Sequence, residues 1–115
     1  MSVKVLGGWA KGFILKVPQG DQVRPTSVML KRRVFDSVQN LEGTIFIDGC
    51  AGSGAMGIEA WSRGASEVHL LEKSPKVYRN LEENVKRLED KYPEEATNRL
   101  LKTHLCDVGK WVKPF

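Results

Sequence analysis

The stretch TIFIDGCAGSGAMGIEAW, residues 44–61, decides how this chain folds. Residues 44–47 favour β-structure and are largely apolar, as in a strand buried on both faces, and Asp48 closes the run. Gly52, Gly54 and Gly57 follow at GxGxxG spacing, and 54–64 reads as a helix stopped by Gly64. Nucleotide-type ligands are held at such strand–loop–helix turns. The glycine spacing by itself is a weak signal, because a tight turn that binds nothing looks the same.

Carboxylates around the loop sharpen the reading. Asp48 stands four positions before Gly52. A dinucleotide would place its pyrophosphate at the helix N-terminus, where backbone N–H groups and the helix dipole favour an anion. A carboxylate at that mouth repels it. S-adenosylmethionine has no phosphate and carries an ammonium and a sulfonium, which suit Asp48. Glu72, ending VHLLE, can accept hydrogen bonds from both ribose hydroxyls of any adenosine-containing cofactor; a surface acid beside Lys73 is the plainer reading. Asp107, after a third strand, can accept from an adenine amine or cap the turn that follows, and the two roles are compatible. All three acids fall at carboxyl ends of parallel strands, where open α/β sheets bind ligands.

Working outward, 3–6 and 13–17 read as the strands of a hairpin around GGWAKG. A loop containing Pro25 leads to a helix over 27–40, with Thr26 or Ser27 as its cap and a basic face of Lys31, Arg32 and Arg33. Residues 66–73 predict the second strand. A long helix follows over 74–92: Ser74 caps it, Pro75 fits its first turn, and Val77, Leu81, Val85, Leu88 and Tyr92 form its apolar stripe. PEEATNRLL restarts that helix after Pro93, and 102–107 is the third strand. Alternating strands and helices predict an α/β chain with a parallel sheet and right-handed crossovers. The organisation is a hairpin over 1–20, a loop and helix over 21–43, and a β-α-β-α-β unit over 44–115.

In 115 residues, 41% hydrophobic and 28% charged, one soluble domain is expected. No apolar run approaches a membrane span, and Cys50 and Cys106 lack paired spacing, which suits a reducing cytosol. A net charge of +4 hints at an anionic partner, nucleic acid first. A metal site from Cys50, His69, His104 and Cys106 is a poor alternative at these spacings.

Taken together, the motifs resemble the bacterial guanine-N2 methyltransferases of small-subunit ribosomal RNA, the RsmD family, over nearly the whole chain. VKVLGGWAKGFILKVP is similar to that family's N-terminal hairpin. RPT, beginning at Arg24, matches its arginine-proline-threonine element, FIDGCAGSGAMGIEAWSRGASEVHLLEK its cofactor motif, and CDVGKWV its adenine-contacting segment. The resemblance implies a Rossmann-like methyltransferase fold, truncated after the third strand. It implies S-adenosylmethionine held by Asp48, Cys50, Ala51, Gly52, Ser53, Gly54, Glu72, Lys73 and Asp107. It implies ribosomal RNA, or the small ribosomal subunit, as partner, met by Trp9, Lys11, Lys16 and Arg24; packing across the hairpin explains Trp9 equally well. The family's helix after RPT differs here, where Val28, Met29 and Arg32 stand in place of its usual charged residues. Its catalytic Asn/Asp-Pro-Pro-aromatic tetrapeptide, which orients a target amine, does not occur in these residues. Two rivals remain: a non-catalytic cofactor- or RNA-binding module, and a fragment of a nicotinamide-dependent oxidoreductase. Without a fourth strand beside it, 44–48 becomes a sheet edge, and self-association through that edge is expected.

Overall fold

The computed structural model describes residues 2–17, 28–37, 40–49 and 51–111. In chain order these form β1 (Ser2–Lys4), β2 (Ile14–Lys16), α1 (Val28–Asp36), β3 (Ile45–Asp48), α2 (Ala55–Ser62), β4 (Glu67–Glu72), α3 (Pro75–Lys91), α4 (Pro93–Asn98) and β5 (Leu100–Leu105), with a 3-10 turn at Val108–Lys110. No helix among the described residues is long and apolar enough to cross a membrane.

The central sheet is parallel in the order β3-β4-β5, with Asp48 beside Leu70 and Glu72 beside Leu105. Strand alternation then places Phe46, Val68, Leu70, Leu101 and Thr103 on one face. The helices cover that face: Phe35 of α1 packs on Phe46 at 6.1 Å, and Tyr78 of α3 shares a 3.0 Å hydrogen bond with Thr103 Oγ1. At Gly57 of α2 a Cβ would lie 2.0 Å from Leu70 Cδ2, so the third glycine of the motif lets the helix lie directly on β4. Ile58, Trp61, Leu70, Leu81 and Leu88 form the centre of the core.

The long helix begins as its sequence predicts. Ser74 is the N-cap, accepting from the Val77 N–H, and Pro75 opens the first turn. Val77, Leu81, Val85 and Leu88 are buried, and Tyr92 packs against Trp9 at 5.2 Å.

Three expectations change. Regular hairpin pairing is shorter than 3–6 and 13–17, because the Leu6 and Gly7 N–H groups turn aside and donate to Glu59 of α2. Leu100 and Leu101 belong to β5 rather than to the preceding helix: Arg99 is extended, the Leu100 N–H donates to Ser66 O, and Leu101 is buried. The basic face over Lys31–Arg33 loses its first member. Lys31 is fully buried, with Nζ 3.2 Å from Glu59 Oε1 and donating to Lys4 O at 2.7 Å. Residues 1, 18–27, 38–39, 50 and 112–115, and with them the RPT element and the cap proposed at Thr26 or Ser27, lie outside the described residues.

Candidate functional site

The loop after β3 is shaped by its glycines and by one acid. Gly52 and Gly54 have φ of 56° and 95°, the left-handed region that side chains resist. The Ala51 N–H donates to Leu71 O at 2.9 Å, tying the loop to β4. Glu72, at the end of β4, then accepts from the Gly52 N–H with one oxygen (3.1 Å) and from the Ser74 N–H with the other (3.0 Å). Each carboxylate oxygen has more than one lone pair, so these bonds leave Glu72 able to take ribose hydroxyls as well. A Cβ at Gly52 would meet nothing within 4 Å, so there is room in front of the loop. At Gly54 it would press on Leu81 and Ile58 at 2.8 and 2.9 Å, so this glycine lets the loop close onto the core.

Asp48 is half-buried at the end of β3, on the same side of the sheet as Glu72. The Cys106 N–H donates to Glu72 O, which brings the segment after β5 alongside. Asp107 there is exposed and caps the 3-10 turn, its Oδ1 accepting from the Gly109 N–H at 2.9 Å. Three carboxylates thus stand at the carboxyl ends of three adjacent strands, with the open loop between them. Ala51 and Ser53 are buried in that loop, and Lys73 is exposed at its margin. Cys50 and Arg24 lie outside the described residues.

Asn84 of α3 is the residue that sequence reasoning missed. Fully buried, it accepts from the Lys16 N–H with Oδ1 and donates through Nδ2 to Lys16 O and Ser53 O, at 3.0, 2.9 and 2.9 Å. One amide therefore pins β2 and the glycine loop together. Its signal was available: a polar residue among the apolar stripe positions Leu81, Val85 and Leu88 needs partners inside.

The hairpin residues divide. Asn84 holds the Lys16 backbone next to the loop. Trp9 and Lys11 sit at the far end of α2, where the Trp9 N–H donates to Ser62 O at 3.0 Å. Eight helical residues, about 12 Å at 1.5 Å each, separate them from the loop. The Trp9 ring is taken up by Trp61, with centroids 4.1 Å apart, and by Tyr92. Packing against α2 and the end of α3, rather than across the hairpin, accounts for its position. His69 and His104 meet on the sheet face away from the helices, sharing a 2.9 Å hydrogen bond.

A family model described as Conserved hypothetical protein 95 matches residues 3–108. Ribosomal RNA small subunit methyltransferase D of Haemophilus influenzae is 33% identical over 87 residues, covering 75% of this chain and 45% of that protein. The protein of the same name from Escherichia coli K12 is 32% identical over 84 residues, 72% and 42%. Among solved structures, a hypothetical protein of Thermus thermophilus superposes with a TM-score of 0.72 at 36% identity, covering 93% of this chain and 57% of that one. The chain spans about half the length of the curated relatives it matches.

Proposed function

The chain belongs to this RsmD-like family, and from that premise we propose that it is the cofactor-binding part of an S-adenosylmethionine-dependent RNA methyltransferase acting on a guanine exocyclic amine of small-subunit ribosomal RNA. The observation that carries the reading is the open loop at Gly52, flanked by Asp48 and Glu72 at adjacent strand ends. The family relatives named as ribosomal RNA methyltransferases support it.

The cofactor would supply a methyl already activated on a sulfonium, so the protein's work is to bind and position. Asp48 holds the cationic methionine end through charge. Glu72 takes the ribose hydroxyls while keeping the Gly52 and Ser74 amides in place. Asp107 accepts from the adenine amine with the carboxylate that caps the following turn. Ala51, Ser53 and Gly54 set the backbone path along the cofactor. Lys16, beside the loop, offers a cation to RNA phosphate. The family's Asn/Asp-Pro-Pro-aromatic tetrapeptide, which orients a target amine, does not occur in these 115 residues, so the residues named here account for the cofactor and not for the guanine.

Calorimetric titration with S-adenosylhomocysteine and with NAD tests the reading. S-adenosylhomocysteine should bind more tightly, and Asp48→Ala and Glu72→Ala should each weaken it by about 1–3 kcal/mol, the value of a charge-assisted hydrogen bond. Tighter binding of NAD would sink the reading in favour of a nicotinamide enzyme.

A further inference from the structure

The long helix α3 sorts its charges by side. Glu82, Glu83 and Glu89 line a groove against β5, together with Lys86 and Lys102. The side that meets the hairpin carries Asn80, Asn84, Arg87 and Lys91, at the i, i+4, i+7, i+11 spacing of one helical face. Asn80 and Asn84 hold the backbone of Lys16. Arg87 and Lys91 flank one ring: Arg87 Cζ is 5.2 Å and Lys91 Nζ 5.9 Å from the centre of Phe13.

The cations of this seam are not neutralised by the protein. Among the described residues no carboxylate lies within ion-pair distance of Lys16, Arg87 or Lys91. Arg87 is also ordered in advance. Its Nη2 donates to Ile14 O at 3.1 Å and to Asn84 Oδ1 at 2.7 Å. Its Nε and Nη1 have no acceptor among the described residues, so those N–H groups are left for a ligand. A guanidinium fixed before the ligand arrives loses little freedom on binding it. Two like charges beside one ring, with the glutamates of the same helix turned the other way, favour a polyanion. The seam also has a direction. Asn84 joins Lys16 to Ser53 of the glycine loop. Lys91 lies seven residues further along α3, about 10 Å at 1.5 Å each. The row Lys16, Arg87, Lys91 thus begins beside the loop and runs away from it.

We propose, on the reading of this chain as part of an RNA methyltransferase, that the seam between β2 and α3 binds the RNA backbone, with Arg87 and Lys91 taking phosphates of the strand that Lys16 meets at the glycine loop. Arg87 supplies fixed N–H donors and Lys91 a mobile charge. RNA is favoured over an acidic polypeptide because the row begins at the cofactor loop, where the reaction needs a nucleic acid. The backbone contacts carry no sequence information; they set the direction in which the strand leaves the loop.

The test is the binding of a single-stranded ribosomal RNA fragment to the full 115-residue chain, followed by fluorescence anisotropy across a salt series. Arg87→Gln and Lys91→Gln should each reduce the log–log salt slope by about 0.7, and the two combined with Lys16→Ala by about 2. Arg87→Lys keeps the charge and loses the fixed donors, so it should weaken binding several-fold with the slope unchanged. Lys86→Gln removes one charge from the β5 side and should leave the slope as it is. Lys91 is exposed, so its substitution reads RNA contact even where loss of the Arg87 bonds lowers stability. Three results would overturn the proposal: a folded wild-type chain that does not bind the RNA; a Lys86→Gln slope reduced as much as that of Lys91→Gln, which would make the effect one of net charge; or polyglutamate that displaces the RNA and is equally sensitive to the Arg87 and Lys91 substitutions, which would make an acidic polypeptide the ligand. The S-adenosylhomocysteine titration reads the glycine loop alone. Tight binding there beside any of these results removes the seam and leaves the methyltransferase reading standing, whereas a preference for NAD removes that reading and the proposal with it.

Discussion

Replacing Glu59 with leucine should come close to unfolding this protein, whereas replacing its buried partner Lys31 with methionine should not. Glu59 is fully buried in α2, yet it joins three elements. It accepts from the Leu6 and Gly7 N–H groups of the hairpin, both at 3.0 Å, faces Lys31 of α1 at 3.2 Å, and accepts from Arg63 Nε at 2.8 Å. Lys31→Met leaves the carboxylate with Arg63 and both amides. Its cost should fall below the usual range for breaking a buried pair, at about 2–3 kcal/mol. Glu59→Leu strands an ammonium with no exposure, its neutral acceptor being Lys4 O at 2.7 Å. That alone costs about 3–5 kcal/mol. The two orphaned amides raise the total to roughly 5–8 kcal/mol. A chain of this length holds about 6–17 kcal/mol in all, so the second change removes much or all of its stability.

Urea unfolding followed by far-UV circular dichroism measures both costs. The double variant decides the mechanism. With Lys31→Met already present there is no ammonium to strand, so adding it to Glu59→Leu should restore about 2 kcal/mol. Equal costs for the two single variants, or a double variant whose losses simply add, would refute Glu59 as the common partner of hairpin, α1 and α2.

Gly57→Ala should cost about 1–3 kcal/mol by overpacking and weaken S-adenosylhomocysteine binding with it, since the added methyl meets Leu70 Cδ2 at 2.0 Å and pushes α2 and its loop off the sheet. Acid should destabilise the fold in two windows. His104 is held below the usual histidine range by burial and by the nearby His69 and Lys102 charges, so the unfolded chain binds its proton first and stability falls as pH drops below about 6.5. His104→Gln should flatten that window in a pH series of urea midpoints. Burial pushes the Glu59 carboxyl up, but hydrogen bonds from Leu6 and Arg63 and the Lys31 charge outweigh it, leaving it below the usual carboxylate range. Its contribution is present above the unfolded value and is lost only as pH falls through the folded one, so Glu59→Gln should flatten the lower window. On a single-stranded ribosomal RNA fragment, Lys16→Ala should reduce the salt slope by about 0.7, one phosphate contact, whereas Lys11→Ala, at the far end of α2, should leave it unchanged; the reverse pattern would place the RNA surface at the hairpin turn.

What could be read from the sequence was local. An apolar strand ending in an acid, glycines at fixed spacing and a Ser-Pro helix start each carry their reason within a few residues, and the structure shows them at 45–48, 52–57 and 74–75. What could not be read depends on partners far along the chain. Lys31 looks like one of three surface cations because nothing near it reveals Glu59, which is 28 positions away. Trp9 and Lys16 share a short hairpin, yet only the packing of that hairpin along α2 puts them at opposite ends of the helix. Leu100 and Leu101 extend a helical pattern as well as they begin a strand, and the choice is made by β4 lying alongside. Cys50 and Arg24 stay where sequence alone places them, since both lie outside the described residues.

The same buried polar groups explain why the hairpin and the loop behave as one structure rather than two. A two-stranded hairpin has little stability of its own in water. Here β1 and β2 are short, and their backbone groups are completed from the helices: Glu59 takes the amides of Leu6 and Gly7, Asn84 takes both backbone groups of Lys16, and Arg87 reaches Ile14 O at 3.1 Å. Glu59 and Asn84 belong to the helices that pack under the glycine loop, and Asn84 also holds Ser53 of the loop itself. Movement of the hairpin away from α3 therefore breaks both Asn84 bonds to Lys16 and leaves the amide that holds the Ser53 carbonyl without those partners. On the proposed function, an RNA phosphate drawn to Lys16 and a cofactor seated at Gly52 press on opposite sides of one amide. Each would favour the arrangement in which the Asn84 bonds are intact, so binding at either place lowers the cost of ordering the other.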